Sequence, residues 1–155
     1  ACALSYEGLA WLTGTAVMLG GAWPGSASLV LALLYSLGAH GIMTLNDFKS
    51  IEGDTRMGVG SLPVRLGAAR AARTAAAVMA LPQLAVAGLL ALWGLPWHAL
   101  AVLALTLAQW PLMARFVRAP VDQALLLSAF GVPLYVSGMM VSAFGLRHLH
   151  SLGVT

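Results

Sequence analysis

Apolar residues in this chain neither alternate nor return at a helical interval; they run on in long blocks. Proline, glycine and charged residues divide the blocks into five segments, approximately residues 4–22, 27–45, 69–92, 98–116 and 125–146. Each is close to the ~20 apolar residues that an α-helix needs to cross about 30 Å of hydrocarbon. The pattern predicts an all-α, multi-pass transmembrane helical bundle of about five spans, forming a single membrane domain over residues 1–155. The connections 20–26 and 93–97 read as turns. Both carry tryptophan and no charge, as expected where aromatic rings sit at the headgroup level.

Composition agrees with that reading. The chain is 60% hydrophobic and 8% charged, with a mean hydropathy of +0.88, whereas a soluble domain is about 25% charged. A net charge of +3 comes without any Lys/Arg-rich run or basic face, which argues against a nucleic-acid partner. Seven of the eight Lys/Arg residues (Lys49, Arg56, Arg65, Arg70, Arg73, Arg115 and Arg118) fall in the second-to-third and fourth-to-fifth connections. If all five segments span, these connections share one side, which the positive-inside rule makes cytoplasmic. Arg147, with His148 and His150, is the exception on the far side; that tail reads as a solvated end, with a His-x-His metal site as the weaker alternative. Cys2 has no partner for an internal disulfide. Segment 4–22 lacks the basic n-region and cleavage site of a signal peptide, and the chain reads as beginning partway through a longer one. Gly131, Ser137, Gly138, Ser142 and Gly145 in the last segment predict close helix packing.

Charge is concentrated in one place. Eight of the thirteen Asp, Glu, Lys and Arg residues lie between Asp47 and Arg73, directly after the second apolar block. If the second helix continues through "TLNDFKSIEGDTRMG", Asp47, Ser50 and Asp54 share a face, while Glu52 points elsewhere unless Gly53 bends the chain. Two facing carboxylates keep a proton, pair with a cation or bind a divalent metal. An oxygen-only donor set favours Mg²⁺ over Zn²⁺. Mg²⁺ in turn points to a phosphorylated or diphosphate ligand, with Lys49, Arg56 and Arg65 as phosphate partners. The bland reading is a solvated loop whose charges only set topology. Asn46 reads locally as a cap or turn residue. Residues 58–67 read as a turn with a short amphipathic piece.

These residues resemble a known family. "LNDFKSIEGD" followed by "MGVGSLPVRLG" is similar to the second aspartate-rich motif of the UbiA superfamily of intramembrane prenyltransferases, and most closely to its chlorophyll and bacteriochlorophyll synthase branch. "YEGLAWLTG", "LYSLGAHGIMTLNDF" and "LYVSGMMVSAF" extend the likeness over nearly the whole chain. The resemblance implies a nine-helix fold with two aspartate-rich motifs on the cytoplasmic side, of which this chain carries the fifth to ninth helices. It implies a Mg²⁺ cofactor that activates a prenyl diphosphate, geranylgeranyl or phytyl, for departure. The acceptor would be the propionate of bacteriochlorophyllide or chlorophyllide. The setting would be a bacterial inner, photosynthetic membrane.

Carried over by position, the resemblance makes Asp47 and Asp54 the catalytic and metal-binding residues. Asn46, Lys49, Ser50, Glu52 and Arg56 lie beside them on the substrate. Tyr6 and Glu7 match the branch's "YEG", which gives Glu7 a place in the substrate cavity; a carboxylate reaching back to the interface is the other reading. His40 matches "GAH" and would face the pigment cavity or sit buried and hydrogen-bonded. The first motif has no counterpart in the chain, so a separate or missing N-terminal half is expected and the chain alone is expected to be inactive. Residues 124–130 are more apolar than this branch leads one to expect. Two other readings remain: an inactive membrane subunit that binds pigment or a partner, and a small transporter using Glu7 and His40.

Overall fold

The computed structural model describes residues 2–151, and side chains over residues 2–149. A π-helical turn, Leu4–Gly8, runs straight into α1, Leu9–Met18. There follow α2 (Ser26–Arg56), a single-turn α3 (Leu62–Leu66), α4 (Ala68–Leu92) and α5 (Pro96–Arg118). A short α6 (Pro120–Leu126) passes through a second π-helical turn, Leu127–Gly131, into α7 (Val132–Ser151). No strand occurs among the described residues.

Four helices are long and apolar enough to cross a membrane: α2, α4, α5 and the composite Pro120–Leu149. The first expected span is helical from residue 2 to Met18, its π turn running straight into α1, and is not one of these four. The chain then leaves the helix at the double glycine, Gly20 and Gly21, both at positive φ. The other segments stand where the apolar pattern put them, except that α2 runs on to Arg56 and the last span begins at Pro120 and carries its π turn at Leu127–Gly131. Prolines at the first or second helical position open α3, α5 and α6, where a missing N–H costs nothing. Pro82 and Pro111 lie inside α4 and α5.

The long helices pack antiparallel, α2 on α4, α4 on α5 and α5 on α7. Close approach of α2 to α4 depends on small residues: Gly41 of α2 faces the backbone of Ala75 and Met79, and Ala71, Ala72 and Ala75 are buried. The interior forms two apolar clusters. One gathers Leu45, Phe48, Met79, Met113 and Phe116 toward the charged end, with Phe48 and Phe116 edge to face at 5.0 Å. The other gathers Leu31, Tyr35, Val86, Leu90, Val102 and Tyr135 toward the opposite end. Between them lies a polar layer. Gln83 Nε2 donates to Gln109 Oε1 at 3.2 Å, Gln109 Nε2 returns a bond to Gln83 Oε1 at 2.8 Å, and the Thr106 hydroxyl donates to Gln83 Oε1 at 3.4 Å. The Tyr135 hydroxyl donates to the Tyr35 carbonyl, and the Tyr35 hydroxyl donates to the Gly138 carbonyl, which ties α2 to α7.

Candidate functional site

Helix α2 has 31 residues, about 46 Å at 1.5 Å per residue, so it overshoots about 30 Å of hydrocarbon by some three turns. The overshoot is the charged stretch. Gly53 does not bend it: the helix continues to Arg56 and ends where Gly58 takes φ 69°. Val59 N–H then bonds the Asp54 carbonyl at 2.8 Å and Gly58 N–H the Thr55 carbonyl at 3.4 Å. This double closure needs a residue that tolerates the left-handed region, hence glycine.

The continuous helix brings Asp47, Ser50 and Asp54 onto one face. The Ser50 hydroxyl donates to Asp54 Oδ2 at 3.0 Å and approaches the Asp47 carbonyl at 3.3 Å. Both carboxylates are half-buried. Asp47 accepts the backbone N–H of Leu62, the first residue of α3, and its electrostatic neighbours are Asp54 and His40. The carboxylate thus caps a one-turn helix from across the loop, and the adjacent Ser61 Oγ is buried with no hydrogen-bond partner among the described residues. Sequence reading missed both Ser61 and this N–H, because a backbone donor in a loop leaves no mark in composition or spacing.

The remaining candidates fall in different places. Glu52 lies off the shared face and pairs with Arg56, both exposed. Lys49 is exposed and has no ion pair among the described residues. The Arg65 stem folds over Gly60, where an added Cβ would stand 3.3 Å from Arg65 Cδ. Asn46 is exposed inside α2 and neither caps nor turns the chain, because the helix does not break there. His40 is exposed rather than buried. It lies on the stripe of α2 that carries Leu33, Leu37 and Asp47, a face left open by the described residues. Tyr6 is 73% exposed, and half-buried Glu7 has Tyr135 of α7 as an electrostatic neighbour, at the level of mid-α2. Tyr6 and Glu7 are therefore not brought to the carboxylates. His148 stacks on His98, whereas the side chain of His150 lies outside the described residues. Four of the five small residues of the last span sit buried at helix contacts; Ser137 is exposed and bonds its own helix at Pro133.

No group of three or more His, Cys, Asp or Glu able to hold a metal occurs among the described residues. Two carboxylates and a hydroxyl nevertheless suit Mg²⁺, which binds through one or two carboxylates and takes its other ligands from water and substrate phosphates.

A bundle of membrane-length apolar helices, with an oxygen-rich face at one end, defines an integral, multi-pass membrane protein. The chain belongs to the UbiA prenyltransferase family, whose sequence pattern matches residues 2–132. It is 51% identical over 97% of its length to the bacteriochlorophyll synthase 33 kDa chain of Cereibacter sphaeroides, of which it covers 49%. It is 50% identical to the 34 kDa chain of the bacteriochlorophyll synthase of Chloroflexus aurantiacus, with 93% of this chain and 46% of that one covered. Chlorophyll synthase of Oryza sativa is 39% identical, with 93% and 38% covered. The chain therefore spans about half the length of these relatives or less. No solved structure matches it.

Proposed function

We propose that this chain is part of a prenyltransferase that esterifies bacteriochlorophyllide, or chlorophyllide, with a geranylgeranyl or phytyl group from the diphosphate. The observation that carries the reading is the face of α2 on which Ser50 bonds Asp54 beside Asp47, at the polar end of a membrane bundle. The identity to bacteriochlorophyll synthases supports the substrate class.

In this reading Asp47 and Asp54 hold Mg²⁺, which when bound offsets the charge of the donor's diphosphate. Ser50 fixes the rotamer of Asp54 by its hydrogen bond. Asp47 orders the loop before α3 through Leu62 N–H, which keeps Arg65 near the same end. Lys49 and Arg65 contact phosphate oxygens, and Arg56 joins them by leaving its exposed pair with Glu52, a loss of about 1 kcal/mol or less. As the allylic C–O bond breaks, these cations stabilise the departing diphosphate, and the acceptor propionate oxygen takes the allylic carbon. The open stripe Leu33, Leu37 and His40 of α2 faces the pigment or the remainder of the protein. The charged end lies on the cytoplasmic side, in keeping with its seven cations. A second motif-bearing half completes the diphosphate site, and this chain alone does not turn over.

The test is binding of Mg²⁺ with geranylgeranyl diphosphate to the full chain in nanodiscs, by calorimetry. Asp47→Asn and Asp54→Asn should each weaken binding by tenfold or more, an effect of at least about 1.4 kcal/mol, while Asp122→Asn should leave it unchanged. Binding indifferent to both α2 substitutions would defeat the proposal. Bacteriochlorophyllide binding that persisted in those variants would then favour an inactive pigment-binding subunit.

A further inference from the structure

At the end of the bundle opposite Asp47, the first turn of α5 meets the last turns of α7. Gly145 lies against His98: a Cβ there would stand 3.3 Å from His98 Cγ, so the glycine lets α7 settle on the imidazole. The His98 and His148 rings stack with centroids 6.4 Å apart at 25°. These two histidines, Arg147 and Phe144 line an open recess of about 410 Å³. Trp23 and Trp97 expose their rings at the same end, each 80% accessible, as expected at the headgroup level.

The charges here need explanation. The other seven Lys/Arg residues belong to the opposite end, and Arg147 is exposed with no ion pair among the described residues. Among the described residues no side-chain carboxylate shares its end: Asp47, Glu52 and Asp54 lie on the last turns of α2, Asp122 opens α6, and Glu7 is beside Tyr135 in mid-bundle. A guanidinium at a bundle end, with no acid near it among the described residues, favours an anionic partner.

We propose that this recess binds a phosphate group of net negative charge. The guanidinium takes two phosphate oxygens in fork geometry, the His98 imidazole supplies a further N–H donor, and Phe144 offers an apolar wall. A phosphate here comes either from an anionic lipid headgroup, with its acyl chain against Phe144, or from free phosphate in solution.

The experiment uses the full chain in detergent with equal amounts of phosphatidylglycerol and phosphatidylcholine, counting retained lipid by native mass spectrometry. A parallel titration with inorganic phosphate follows the histidine ring resonances. The anionic lipid should be retained about fivefold over the zwitterionic one, the effect of one basic side chain near an anionic surface. Arg147→Gln should abolish the preference and Arg147→Lys keep part of it. Retention that millimolar phosphate does not displace identifies a lipid headgroup; displacement, with shifted histidine resonances, identifies free phosphate. Both results support the recess. Equal retention of the two lipids with unmoved histidine resonances would overturn it, as would a folded Arg147→Gln chain with unchanged preference. If that variant does not fold, the titration of the unaltered chain decides.

Discussion

Two glycine-to-alanine substitutions on the same helix should shift stability in opposite directions. At Gly41 an added Cβ would lie 2.6 Å from the Ala75 carbonyl oxygen and 2.6 Å from Met79 Cγ. Ordinary contact begins at 3.4 Å, so α2 and α4 would have to separate by about 0.8 Å. The methionine can turn aside, but the carbonyl belongs to the α4 backbone and cannot. Overpacking of this kind costs about 1–3 kcal/mol, and the helix-propensity gain of alanine over glycine returns about 1 kcal/mol. At Gly53 nothing lies within 4 Å of the added Cβ, so only the gain remains. For a chain of 155 residues, 1 kcal/mol moves Tm by about 2–4 °C. Thermal unfolding in detergent, followed by circular dichroism, should show Gly41→Ala lowered by a few degrees and Gly53→Ala raised by about as much. The net cost is about 0–2 kcal/mol, so a Gly41→Ala protein raised in Tm as much as Gly53→Ala would refute the close α2–α4 crossing.

Other consequences are checked on the same preparation. Gln83→Leu should cost about 1–3 kcal/mol by leaving the buried Gln109 carbonyl without a donor, and adding Gln109→Leu should recover most of it in a double-mutant cycle. Asp47→Ala should speed amide exchange at Leu62 and its neighbours, because the cap of α3 is lost. Asp47→Asn, which still offers a carbonyl oxygen, should leave that exchange near wild type. Glu52→Gln removes only an exposed i,i+4 pair, so its Tm should change by no more than about 2 °C.

The legible part of the site was the part written in one helix. Asp47, Ser50 and Asp54 are grouped by helical spacing alone, and once α2 continues through Gly53 their shared face follows. Asn46 was misread for the same reason in reverse: asparagine favours caps in isolation, but the helix here is held by Leu45 and Phe48, both buried against the α4–α5 cluster. His40 was read as facing a pigment cavity or as buried and hydrogen-bonded; among the described residues it is not buried but stands on an open stripe, since burial depends on which other helices come to cover a face.

Long apolar blocks determined that the chain is helical and membrane-embedded, because backbone polar groups in hydrocarbon must be satisfied within each helix. They also fixed where the four long helices lie and at which end the charge collects. Tertiary structure decided what no local pattern encodes: the tie from Asp47 to Leu62, the Gln83–Gln109 layer between two apolar clusters, and the seating of Arg147 beside two stacked histidines. Each joins groups from separate helices, and their meeting depends on how closely small residues such as Gly41 and Gly145 let those helices approach.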